Sequence, residues 1–131
     1  MNRRRLTLQA LNTWEKRPFN YGVADCCQFA AHVANVITGR DYTNAFPIYS
    51  SEDEANRIIA TWGGLAPMLR SILGEPSEQL EDGDPVLLDL PGGIGEVLAI
   101  KLGVHAVGLA EARMVKIGPR YWREGWHLWR P

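Results

Sequence analysis

The feature that most limits what this chain can fold into is a change of hydrophobic period near residue 80. Before it, apolar residues recur at three- and four-residue steps. After Gly83 the chain breaks into short β-prone runs separated by glycine, proline or charge. Helical spacing followed by strand spacing is the pattern of a segregated α+β fold, with N-terminal helices packed on a C-terminal antiparallel sheet. At 131 residues the chain is near the common size for one hydrophobic core. A single domain over 1–131 is therefore expected, with a helical half at 1–80 and a sheet half at 81–131.

In the first half, Leu6, Ala10, Leu11 and Trp14 predict a short amphipathic helix that ends before Pro18. Asp25 is placed to cap a second helix, whose face of Phe29, Ala30, Val33, Ala34, Val36 and Ile37 is apolar enough to be buried and which Gly39 stops. Residues 40–50 lack a period and read as an ordered loop packed through Tyr42, Phe46 and Tyr49. Ser50 or Ser51 caps a third helix carrying Ala55, Ile58, Ile59 and Trp62, and a short helix follows from Leu65 to Leu73. The strand runs are Pro85 to Leu90, Val97 to Leu102, Val104 to Leu109, Arg113 to Ile117 and Trp126 to Trp129, which suggest an antiparallel meander.

A composition of 46% hydrophobic and 22% charged residues is that of an ordinary globular protein. The formal net charge of −1 argues against a nucleic-acid partner, because phosphate binding needs a basic surface. No segment reads as membrane-inserting, and the positive opening Met1 to Arg5 is not followed by the apolar core of a signal peptide. The two cysteines, Cys26 and Cys27, are adjacent, which suits neither a structural disulfide nor a metal site by itself. No metal or cofactor is expected. A metal or iron–sulfur reading would need ligands from elsewhere in the chain or from another chain.

The richest stretch for chemistry is Phe19-Asn-Tyr-Gly-Val-Ala-Asp-Cys-Cys-Gln-Phe29, where a loop delivers an acid and a thiol to the first turn of a helix. A helix start offers free backbone N–H groups and a partial positive charge, which stabilise a thiolate and a developing oxyanion. Tyr21-Gly22, Asp25-Cys26-x-x-Phe29 and the later Gly83-Asp84-Pro-Val-Leu-Leu-Asp89 resemble the NlpC-type papain-like cysteine endopeptidases. That resemblance implies a papain-like fold, with Cys26 as nucleophile, Tyr21 lining the site and Gly83-Asp84 opening the first strand. Trp14 ahead of Arg17-Pro18-Phe19, the double cysteine, Thr38-Gly39-Arg40-Asp41 and Trp62-Gly63-Gly64-Leu65 are similar, more narrowly, to a branch encoded among tail-tip genes of long-tailed bacteriophages and their prophages.

The chain departs from the peptidase pattern at one position. Where the family keeps its catalytic histidine, this sequence has Glu96 or Val97, depending on register, and neither replaces an imidazole. His105 is the best substitute base, with a half-exposed strand residue as the alternative reading; His32 and His127 read as structural. Asp25 and Glu96 are candidates for contact with substrate. Cys27 reads as a small packing residue, and Cys26 either as a reactive thiol or as a relic that fills space.

The run Tyr121 to Arg130 combines aromatics with arginine, which makes Tyr121, Trp122, Trp126 and Trp129 candidate interface residues. The competing reading has Trp126 and Leu128 filling the sheet's inner face while Trp129 shields its edge. The expected function is a structural or assembly component of a phage tail tip or baseplate, built on a catalytically degenerate NlpC-type peptidase fold. The expected partners are other tail-tip or hub proteins, with peptidoglycan as a further ligand. The expected location is the virion tail, after synthesis in the bacterial host cytoplasm. The alternative is an active cysteine peptidase cleaving peptidoglycan stem peptides.

Overall fold

In the first half, hydrophobic spacing and capping residues set the helices. The computed structural model describes residues 2–14, 25–47, 49–109 and 114–129. Among them α1 spans Arg3–Trp14, α2 Cys26–Thr38, α3 Glu52–Thr61 and α4 Leu65–Leu73. The Asp25 carboxylate accepts the Gln28 N–H at the start of α2, and Gly39 closes that helix in a left-handed conformation, its N–H returning to the Asn35 carbonyl. Ser51 caps α3 by accepting the Glu54 N–H. Trp62 lies just past α3 and is exposed, so it does not join the buried face expected for that helix. The helix ends at Thr61, and Gly63 turns the chain away at positive φ.

The second half forms a five-stranded sheet in the order β4-β3-β2-β1-β5, with every pair antiparallel. Its strands are β1 Pro85–Leu90, β2 Gly95–Leu102, β3 His105–Leu109, β4 Met114–Ile117 and β5 Trp122–Gly125. The protein is thus an α+β fold with N-terminal helices and a C-terminal sheet. Two sequence expectations are corrected. The sheet is not a simple meander, because β5 returns to pair with β1 rather than extending beyond β4. Trp126 to Trp129 is not a strand: the strand is Trp122–Gly125, and Trp126, whose backbone N–H still donates to the Pro85 carbonyl, buries its ring and donates its indole N–H to the Gly74 carbonyl.

Alternation along the strands sorts the sheet into two faces. Leu87, Leu98, Ile100, Val107 and Leu109 pack against the helices, with α2 lying along β2 and β3. Val86, Leu88, Ala99 and Ala106 form a smaller cluster on the opposite face, closed by Leu80, Leu90, Val97, Ile117 and Trp122. Gly83 lets the sheet approach α1 and α2 closely. Its φ is +91°, and a Cβ there would lie 2.8 Å from Thr7 Oγ1 and 2.9 Å from Ile37 Cγ1. Among the described residues no helix is long and apolar enough to cross a membrane.

Candidate functional site

Asp25 and the two cysteines meet the sheet at the start of α2. Asp25 is buried at 2% exposure, Cys27 is buried and Cys26 is half-buried against the core. Cys26 faces β2, whose Leu98 backbone N–H is one of the groups that act on its thiol. The hydrogen-bond alternation of the sheet explains why that N–H is available. Lys101 N–H donates to the Asp84 carbonyl on the β1 side, so Leu98, three residues away and of opposite parity, directs its N–H toward β3. The β2–β3 pairs run from Leu102↔His105 to Ile100↔Val107, and Leu98 lies beyond the last of them.

The Cys27 thiol donates to Cys26, and this bond, with the Leu98 N–H, holds the Cys26 thiol below its ordinary range; burial and the nearby Asp25 charge oppose it. The same Cys26–Cys27 bond pushes Cys27 well up, reinforced by burial. Tyr49, from the loop after α2, completes the cluster. Its buried hydroxyl is pushed well above the ordinary phenol range, by burial first and then by the neighbouring Cys27 and Asp25.

Glu96 and Val97, the two possible positions for the family histidine, lie on opposite faces. Glu96 shares the helix-side face with Leu98, roughly 7 Å along the strand. Val97 packs into the cluster on the far side. Glu96 is exposed and stands directly opposite Asp89 of β1, whose carboxylate pairs with Arg123 at 3.4 Å.

The histidines lie apart from this cluster. His105 pairs with Leu102, four residues along β2 from Leu98, a separation of roughly 13 Å at the usual strand rise. It is a half-exposed strand residue. His32 accepts the Trp14 indole N–H at Nδ1, 2.9 Å away, and meets that ring edge-on. His127 places Nδ1 2.8 Å from Asp84 Oδ2 at the start of β1. Tyr21 lies outside the described residues.

Asp84, read from sequence only as part of a strand-opening pair, organises a second polar cluster. Fully buried, it accepts from Arg3 Nη2 at 2.6 Å, from Leu128 N at 2.9 Å and from Glu81 N at 2.8 Å, besides its contact with His127. Of the candidate interface residues, Trp129 is exposed, while Tyr121 and Trp122 are half-buried. Trp126 is completely buried and so is not presented to a partner. Among the described residues no three His, Cys, Asp or Glu side chains gather as metal ligands, so a metal here would need a ligand from outside them.

A family model described as a domain of unknown function, DUF6950, matches residues 2–128, a span that includes both polar clusters and the whole sheet. The chain belongs to the DUF6950 family. No curated protein matches it. In this DUF6950 domain, sequence reasoning found Asp25 and Cys26 because they are contiguous and open a helix. Cys27 packs in the core as expected, whereas Tyr49, expected only to pack its loop, also adjoins the cysteines; its only signal was a hydroxyl-bearing aromatic in an ordered loop.

Proposed function

We propose that the domain is an NlpC-type, papain-like fold that retains the thiol position of a cysteine hydrolase, lacks the imidazole that would activate it, and serves as an assembly component of a phage tail tip or baseplate. The observation that carries the reading is the disposition of the histidines. His32 is tied to Trp14, His127 to Asp84, and His105 stands at the far end of β2 from the Leu98 N–H that holds Cys26. The tail-tip assignment rests on the sequence resemblance. Without a positioned general acid and base, turnover is expected to fall by about 10²- to 10⁴-fold.

The test is incubation of purified protein with peptidoglycan stem peptides, followed by mass spectrometry. No cleavage is expected, from either the native chain or Cys26→Ala. Cleavage that Cys26→Ala abolishes would overturn the degenerate reading in favour of an active cell-wall peptidase. One observation favours that second reading: Cys26 is the first residue of α2 and is half-buried, beside the free N–H groups of the helix start. Mass spectrometry of purified phage particles tests the location, and absence of the chain from tails would sink it.

A further inference from the structure

We propose that the sheet edge at β4, with the groove between that strand and α1, receives an extended segment of a partner protein. The segment pairs with β4 as a further strand and turns acidic and apolar side chains toward α1. The inference is independent of the thiol cluster and of the tail-tip reading.

The two edges of the sheet differ. β5 is covered: the Ser77 N–H donates to the Gly125 carbonyl at 2.8 Å, and Leu80 packs so closely that a Cβ on Gly125 would lie 2.4 Å from its Cδ1. β4 is bare among the described residues. It pairs with β3 on one side, and its backbone takes one other hydrogen bond, from the Trp122 indole to the Ile117 carbonyl. Alternate residues of an edge strand turn their N–H and C=O groups away from the sheet, where an added strand can pair with them.

The helical layer stops short of this edge, because α2 lies along β2 and β3. The step leaves a groove of about 440 Å³ walled by Leu8 and Leu11 of α1 and by Leu102, Val107 and Met114 of the sheet, with Lys116 at its rim. Leu8 is 45% exposed. Through Leu8 and Asn12 the groove runs on into a hollow lined by Arg4 and Arg5. No acidic side chain lines either part among the described residues. Arg4 faces Asp82 at 3.7 Å, whereas Arg5 and Lys116 have no ion-pair partner among the described residues.

That charge selects the occupant. The whole chain carries 14 basic and 15 acidic residues, so three cations without an acid are a local concentration rather than a reflection of composition. A second copy pairing β4 against β4 would bring Lys116 close to its own counterpart, and like charges on paired strands repel. An acidic segment instead supplies Arg5 and Lys116 with partners, while its apolar side chains cover Leu8 and Met114.

Peptide binding tests the proposal. The probe is a short synthetic peptide, capped at both ends, with threonine on one strand face and glutamate and leucine in turn on the other; in its counterpart lysine replaces glutamate. Binding to the full chain is followed by amide NMR. The glutamate peptide is expected to bind, to be weakened by salt, and to shift the amides of 114–117 and those around Leu8. The lysine peptide is expected to bind at least about tenfold more weakly. Lys116→Glu and Arg5→Glu, both at exposed positions, are each expected to weaken the glutamate peptide about threefold to tenfold, with thermal melts confirming the fold. Leu8→Asp is expected to act in the same direction through the groove wall. The comparison of the two peptides uses the native chain and so does not depend on any variant folding. Equal binding of both peptides, no binding of the glutamate peptide at millimolar concentration, or amide shifts centred away from β4 would overturn the proposal. So would tighter binding of a single-stranded oligonucleotide or of phosphatidylserine vesicles.

Discussion

Asp25 and Asp84 are both buried carboxylates at the start of an element that packs into the core, and they sit in different chemistry. Asp84 is surrounded by fixed donors: a guanidinium, an imidazole and two backbone N–H groups. It ties the first turn of α1 to β1 and to the segment after β5. Asp25 gives one oxygen to the α2 cap and lies beside two thiols and a phenol, whose protons can be rearranged. The contrast shows where the fold has spent its histidine. An imidazole bonded to a buried aspartate is present, but it holds the C-terminal segment rather than serving the thiol.

The sharpest way to break this comparison is Asp84→Ala. It leaves Arg3, whose side chain is only 13% exposed, without its buried carboxylate, with only the exposed Glu81 at 3.8 Å in its place, and removes the acceptor for Leu128 N–H. Removing one partner of a buried ion pair typically costs about 3–5 kcal/mol. Urea unfolding should show a loss of that order, with the chain at residues 126–129 becoming accessible to protease. A loss below about 1 kcal/mol would mean that the cluster is not what fastens the two termini of the fold together.

Alkaline unfolding sharpens the other side. The Tyr49 hydroxyl is raised in the folded state, so above a pH of about 10 an unfolded chain releases a proton that the folded chain keeps. Stability therefore falls as pH rises through that point, by up to about 1.4 kcal/mol per unit for this one group. Cys27, also raised, has the same sign from about pH 8.5 upward. Cys26, lowered, has the opposite sign: its contribution is present above the unfolded thiol value and is lost as pH falls through its folded value. Tyr49→Phe should flatten the fall above pH 10 in a stability profile from denaturant melts. An unchanged slope would place the hydroxyl in contact with water.

The legible parts of this molecule were those written locally. Asp25, Ser51 and Gly39 marked helix ends because caps and stops lie next to the residues they serve. The first four strands were visible as β-prone runs between glycines. The fifth was misplaced because aromatic residues favour any half-buried extended surface, and Trp126 and Leu128 fill the core just past the end of the strand. Its position beside β1 depends on a long-range return that no local pattern encodes. At the site, Cys26 and Asp25 could be read from spacing, whereas the Leu98 N–H depends on which β2 residues the ladder leaves unpaired. Tyr49 depends on how a loop without a period folds back onto α2.

The smallest expected effect lies on the exposed surface of the same sheet. Arg123 and Asp89 form an exposed pair, 59% and 45% accessible, and such pairs contribute about 0–1 kcal/mol, with exposed ones commonly near the lower end. Arg123→Ala nevertheless removes the cation beside two carboxylates that face each other across β1 and β2. Like charges directly opposite on a sheet repel by a few tenths of a kcal/mol. The variant should therefore be destabilised by about 0.3–0.5 kcal/mol in low salt, less in high salt, and hardly at all when Glu96→Gln is also present. A cost above about 1 kcal/mol that Glu96→Gln relieves would mean that this acidic pair is poorly screened.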